Sequence, residues 1–167
     1  DTGRSRYSRP VDVKIVETGP DDPRLGPLLA ELRAELDARY PEEIDFEHPE
    51  LHGAARFALA VSGDEAVGCC AVQPLGDGWC EIKRMYVRPA ARGLGIAGRI
   101  VAEVERTAAR MGAHQIKLET GIRQPEAITV YERAGFHRIP NYPPYHLWDM
   151  SICYAKSLTS QGTAPPG

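Results

Sequence analysis

The stretch from Trp79 to Arg110 constrains this chain most: a strand-like run ending Lys83-Arg84-Met85-Tyr86-Val87, a proline, the glycine-rich turn Arg92-Gly93-Leu94-Gly95, and an amphipathic helix. On that helix, expected over about 95–111, Ile96, Ile100, Val104 and Ala108 recur on one face and Arg99, Glu103, Arg106 and Arg110 on the other. A helix entered through small residues presents unpaired backbone N–H groups and the positive end of its dipole, which suits a phosphate or pyrophosphate. Arg92, at the mouth of the turn, adds a full positive charge.

Gly93, Gly95 and Gly98 also spell a literal G-x-G-x-x-G. A dinucleotide turn needs its first glycine at the very end of a strand, an acidic residue about 20 residues further on, and more βα units beyond. Glu119 is suitably spaced, but Arg88 to Arg92 separate the strand from the turn, and too little chain follows Glu119 for those units. A P-loop fails as well, because Gly93 and Gly98 are followed by Arg99-Ile100 and so lack the phosphate-binding lysine and the magnesium-binding hydroxyl. The anion is therefore expected to be held by main chain, without a metal.

Upstream, three strand-like runs at about 55–62, 65–75 and 79–88 are joined by Ser62-Gly63-Asp64 and Leu75-Gly76-Asp77-Gly78, which predicts an antiparallel meander. A first strand over 11–17 precedes a helix started by Asp22 as N-cap and Pro23, with Leu25, Leu28, Leu29, Leu32 and Leu36 on one face and Pro41 as its stop. Downstream come a strand over 115–119, a short helix from Pro125 closed by Gly135, and closing strands at 136–139 and about 150–156. One domain over 11–157 is expected, with flexible tails at 1–10 and 158–167.

Composition removes several functions. A length of 167 residues suits one domain with a real core, and a net charge of −3 argues against a nucleic-acid partner. No apolar run approaches the ~20 residues that span a bilayer, so no membrane segment is expected. The polar amino end lacks the apolar core of an export signal, which points to a cytoplasmic location. Cys69, Cys70, Cys80 and Cys153 form no C-x-x-C and read as reduced core thiols, with the adjacent pair on opposite faces of a strand. His48 and His52 are four apart but are interrupted by Pro49 and lack a third ligand, so no metal is predicted.

Arg92, Gly95 and Ala97 match the pattern [QR]-x-x-G-x-[GA], and Ala127 to Phe136, AITVYERAGF, is similar to A-x-x-L-Y-E-K-x-G-F with Val130 in place of the usual Leu. On these two blocks the chain, from residue 12 to about 157, resembles the GNAT family of N-acetyltransferases. The resemblance implies an α/β fold of the α+β type. It would be a single GNAT-like domain with a mixed, mostly antiparallel central sheet of about six or seven strands, flanked by helices and splayed between the fourth and fifth strands.

It also implies acetyl-CoA as cosubstrate. The backbone N–H groups of Arg92, Gly93, Leu94, Gly95, Ile96 and Ala97 would wrap its pyrophosphate, and the backbone over Met85, Tyr86 and Val87 would pair with its pantetheine arm. Gln124 stands where the family often has an Asn that contacts that arm. Tyr131 matches the family's acid, although a core tyrosine also fits its place on the helix. Glu81, six residues before Val87, matches one family position for a glutamate base, with Glu119 and Thr120 as alternatives; strand alternation puts Glu81, Lys83, Met85 and Val87 on one face, where Glu81 and Lys83 also suit an ion pair.

The implied reaction moves an acetyl group to a primary amine of a small molecule, amino acid or peptide by direct transfer. The competing reading is an acyl-CoA-binding sensor or scaffold without turnover. Tyr142, Tyr145 and Trp148, within 139–150, and the acidic Glu42, Glu43 and Asp45 are candidate walls for the acceptor, and the protein is expected to be a monomer or homodimer.

Overall fold

Strand-forming runs separated by turns too short for a helix must return antiparallel, and in a computed structural model of the chain, which describes residues 12–158, they do. β2 (Arg56–Ser62), β3 (Glu65–Gly76) and β4 (Trp79–Val87) form a meander, and β1 (Val13–Thr18) adds antiparallel to β2. After β4 the chain leaves the sheet through a 3-10 turn at Pro89–Ala91, forms α2 (Ile96–Arg110) and returns as β5 (Gln115–Gly121), parallel to β4. α3 (Pro125–Arg133), β6 (His137–Ile139) and β7 (Ser151–Ser157) complete the chain, with β7 inserted between β5 and β6. The seven-stranded sheet thus runs β1-β2-β3-β4-β5-β7-β6.

α1 (Leu25–Arg39) covers one face, where Leu25, Leu28 and Leu32 meet Phe57, Leu59, Cys69 and Tyr86. α2 and α3 cover the other, burying Ile96, Ile100, Val104 and Tyr131 against Val67, Ile82, Leu118 and their neighbours. α1 starts two residues later than the sequence suggests. Asp22 accepts the backbone N–H of Arg24 at 2.9 Å and also its guanidinium, so the aspartate closes a turn ahead of the helix instead of capping it, and Arg24 takes the N-cap position. Of the expected tails, 1–10 and 159–167 lie outside the described residues; the N–H of Leu158 donates to the His114 carbonyl at 2.8 Å.

Two irregularities set up the site. β4 and β5 pair only from Trp79–Gln115 to Ile82–Leu118, and beyond that β4 stays with β3 while β5 stays with β7. The splay expected between the fourth and fifth strands is therefore present and begins at Glu119. Within β4, Cys69 is opposite Tyr86 and Ala71 opposite Lys83, so Arg84 and Met85 together face the single residue Cys70. This is a β-bulge, with Arg84 at φ 56°, and bulges bend and twist the strand that carries them.

The bulge also corrects the expected side-chain alternation. The extra residue reverses the parity of β4. Cys80 and Ile82 before it, and Met85 and Val87 after it, pack toward α2, whereas Glu81 and Lys83 lie on the opposite face with Tyr86. Glu81, Lys83, Met85 and Val87 do not share a face.

All four cysteines are buried and free. Cys69 and Cys70 face opposite sides of β3, as alternation requires, and their thiols lie 3.7 and 3.6 Å from the carbonyls of Arg84 and Lys83 at the bulge. Burial pushes the Cys69 thiol up to about 12 and raises that of Cys70 well above its ordinary value. Because the thiolate is the reactive form, the native protein is expected to resist a disulfide reagent at pH 8, and all four thiols to react on unfolding in guanidinium. Stopped-time thiol counting checks this, and rapid native labelling of Cys69 or Cys70 would contradict the packing described.

Candidate active site

The glycine-rich turn adopts a geometry that only glycine takes without strain. Gly93 and Gly95 have φ of 80° and 76°, and Gly95 is the residue from which α2 begins. No side chain caps α2, and the first hydrogen bond back into the turn runs from Arg99 N to Gly95 O at 3.3 Å. The N–H groups of Gly93 to Gly98 therefore have no partner among the described residues. The N–H of Arg92 is different, since it donates to Pro89 O at 3.2 Å.

The Arg92 side chain also departs from expectation. Its guanidinium does not stand free at the mouth of the turn. It donates to Glu35 of α1 at 2.8 Å and to the Val87 carbonyl at 2.9 Å, and it lies over the Tyr86 ring. Arg92 thereby ties the turn to α1 and β4, and its charge is spent on Glu35. Arg88 N–H donates to Val67 O, so Tyr86 and Arg88 face β3 and the alternate backbone groups of Met85 and Val87 face the gap.

A cavity of about 490 Å³ threads the gap between β4 and β5. One wall is the α1 surface, with Leu29, Leu32, Leu36 and Tyr40; the other is α3, with Gln124, Ala127 and Tyr131. Lys83, Arg84 and Met85 line it from β4, Glu119 and Thr120 from β5, and Tyr145, Trp148 and Ser151 close it. The aromatic segment is held together by edge contacts between Tyr142 and Tyr145 and between Tyr145 and Trp148, both with centroids 5.3 Å apart. Of the expected acidic rim, Glu43 lines the cavity, Glu42 pairs with Arg123 at 3.0 Å, and Asp45 does not reach it.

The two candidate bases occupy different environments. Glu81 is buried with both oxygens engaged: Gln73 donates to one at 3.0 Å, Tyr142 to the other at 2.7 Å, and Lys83 sits 3.7 Å away. It does not line the cavity. Glu119, the first residue past the last β4–β5 pair, does line it, and among the described residues its carboxylate accepts only the Ser151 hydroxyl, at 3.0 Å. Desolvation pushes its carboxyl up to about 7, against the lowering influence of Ser151 and Lys83. Tyr131 is buried against Phe136, its hydroxyl has no hydrogen-bond partner among the described residues, and burial raises its pKa well above the ordinary tyrosine value. Gln124 lines the cavity, and its carbonyl oxygen accepts the Gly121 N–H at 3.1 Å and the Tyr40 hydroxyl at 3.4 Å. No group of three metal-binding side chains occurs among the described residues.

Known proteins share this fold. Residues 25–136 match the model of the acetyltransferase (GNAT) family. The chain belongs to the GNAT family. An IAA acetyltransferase of Azospirillum brasilense is 31% identical over 88% of this chain and 99% of its own length. A solved structure from Klebsiella pneumoniae, assigned to the acyl-CoA N-acyltransferases, superposes with TM-score 0.75 at 30% identity, covering 88% of this chain and 98% of that one. A GNAT acetyltransferase from Elizabethkingia anophelis, solved with acetyl-CoA bound, shares the fold at TM-score 0.63 and 20% identity, covering 88% of this chain and 99% of that one. This GNAT protein is thus an acyltransferase of a family that uses acetyl-CoA. Among its described residues no helix is long and apolar enough to cross a membrane.

Sequence reasoning named Tyr131, Glu119 and Gln124, which the fold gathers around one cavity, the glycine turn, which opens α2 outside that cavity's lining, and also Glu81, which it sets behind Lys83. It missed Arg84, Ser151 and the apolar α1 wall. The heptad-like leucines of α1 signal packing whether the buried surface is core or cavity, and no local pattern announces the bulge at Arg84.

The literal G-x-G-x-x-G and the family pattern make opposite demands on Gly98, which is helical, exposed, and has open space where a Cβ would stand. Gly98→Ala is expected to stabilise the protein by about 0.5–1 kcal/mol, and Gly95→Ala to destabilise it by about 1 kcal/mol or more because of its positive φ. Urea denaturation of both variants tests this. Equal losses would mean that Gly98 has a role the fold does not show.

Proposed function

We propose that the protein transfers the acetyl group of acetyl-CoA to a primary amine in the cavity, with Glu119 as general base and Tyr131 as general acid. The observation that carries this reading is the pair of proton-handling groups that meet in one cavity at the splay. One is a carboxyl raised to about 7, and the other a phenol kept protonated and unpartnered.

The residues present suit coenzyme A on its donor side. The free N–H groups of Gly93, Leu94, Gly95, Ile96 and Ala97 match a pyrophosphate, and the gap-facing backbone of Met85 and Val87 matches an amide-bearing arm added as a partial strand. Tyr86 contributes by facing β3 and supporting the Arg92 guanidinium. The amide nitrogen of Gln124 is the donor offered from α3. Bound acetyl-CoA supplies a thioester acyl group. The reaction then forms one C–N bond and breaks one C–S bond. Glu119 accepts the proton lost by the amine, Tyr131 gives a proton to the departing sulfur, and exchange with water restores both.

Glu119 suits the base role because its carboxylate is half-supported. A carboxyl near 7 is a stronger base than one at the ordinary value near 4, yet about half of it is ionised at neutral pH. Glu81, with three partners, serves in this reading to fix Lys83 and Tyr142 beneath the aromatic wall.

The base must be deprotonated to act, so kcat/KM is expected to be high above the Glu119 pKa and to fall as pH drops through about 7. Glu119→Gln should cost roughly 100-fold or more in kcat and remove that limb from the residual activity. Tyr131→Phe should cost less, because a thiol with a pKa of about 8.5 leaves readily without help. Release of free CoA from acetyl-CoA across an amine panel measures all three. An unchanged acid limb in Glu119→Gln, or its loss in Glu81→Gln instead, would reassign the base.

A further inference from the structure

One cation in the cavity is unexplained by this chemistry. Arg84 is held at φ 56° in the β4 bulge, a conformation that is costly for a non-glycine residue, and it lines the cavity half-buried. The other cavity cations are engaged: Arg33 with Asp37 at 3.1 Å, and Lys83 with the Tyr145 hydroxyl at 2.7 Å and Glu81 at 3.7 Å. The Arg84 guanidinium has no carboxylate, carbonyl or ring partner among the described residues. Its positive charge acts to lower the pKa of Tyr145 and His48, which border the cavity, and of Cys69 beneath the bulge.

A half-buried guanidinium, strained into place and left without a partner, is a receptor for an oxyanion, and its planar fork matches a carboxylate. Leu29, Leu32 and Leu36 of α1 and Trp148 give the cavity apolar surface, and the two charged side chains of α1 that line it, Arg33 and Asp37, are paired with each other. Glu119 supplies the complementary negative charge for an ammonium. The cavity therefore combines a cation, an apolar slot and a base.

We infer that Arg84 selects the acceptor by binding its carboxylate, and that the acceptor class is a free amino acid with an apolar or aromatic side chain. This rests on the acetyl-transfer reading above for the amine end only; the carboxylate contact belongs to Arg84 whichever group serves as base.

The test compares three forms of one acceptor, for instance phenylalanine, phenylalaninamide and phenethylamine, and likewise for leucine, by release of CoA from acetyl-CoA. Wild type is expected to favour the free acid over its amide and its decarboxylated amine by tenfold or more in kcat/KM, carried mostly by KM, as suits a charge-assisted contact. Arg84→Gln should bring that ratio close to unity, and Arg84→Lys should restore part of it. Arg84→Asn, which tolerates a positive φ better, guards against a backbone effect. A wild-type ratio near one, or an Arg84→Gln ratio equal to wild type, overturns the inference.

Calorimetric binding of N-acetylphenylalanine, set against its amide, separates this from the function itself. Arg84-dependent preference for the acid without CoA release from any amine would sustain the carboxylate site and refute acetyl transfer. Release from amines with no Arg84-dependent preference would do the reverse.

Discussion

The rest of the structure turns on the single extra residue in β4. Because Arg84 and Met85 are both set against Cys70, β4 bends out of register with its parallel neighbour, and pairing with β5 stops at Ile82–Leu118. Such a defect leaves carbonyls without ladder partners, and here the thiols of Cys69 and Cys70 lie against those of Arg84 and Lys83. The thiols are weak donors, but they are small and fully buried, so they fill the space of the bulge while softening its cost. A gap made this way is permanent, since closing it would require moving β4 against β3 as well.

Two carboxylates on the same sheet face show how position relative to that gap divides roles. Glu81 lies where β4 and β5 are still paired, so neighbouring strands and the 139–150 segment surround it and supply Gln73, Tyr142 and Lys83. Glu119 lies one residue beyond the last pair, and the partners that β4 would have provided are gone. It keeps the desolvation of a buried position with one hydroxyl to offset it, which is why its carboxyl rises to about 7. The same chemistry placed two strand positions apart gives a fully partnered carboxylate and, in the reading proposed above, a proton acceptor.

Much of this was legible in the sequence, for stated physical reasons. The meander followed from the short turns at Gly63 and Gly76 to Gly78, α2 from its apolar period, and the tight turn opening an uncapped helix from Gly93 and Gly95. What stayed hidden depends on contacts between distant segments. Arg92 read as a free charge because Glu35, 57 residues earlier, is not its neighbour in any local window. Glu81 and Lys83 read as sharing a face with Met85 because alternation has no way to register a bulge that Cys70 enforces from another strand. Asp22 read as an N-cap because its own Arg24 contact, which draws the oxygen away from the helix, is set by the turn geometry.

The two halves of the proposed site are built from different materials, and this decides what a family resemblance carries. In the reading proposed above the donor side is made of backbone: free N–H groups before α2, gap-facing strand amides, and glycines whose conformations leave few alternatives. Backbone geometry of this kind needs a recurrent sequence pattern, so it is recognisable across distant relatives. The proposed acceptor side is made of side chains from α1, the bulge and the 139–150 segment, where Leu36, Arg84 or Trp148 can be exchanged with little change to the core packed on the sheet. Specificity is therefore written in residues that the shared fold does not constrain. Arg84 is the exception in one respect: it stands on the bulge that makes the gap, so the feature that opens the donor side also aims a charge at the acceptor.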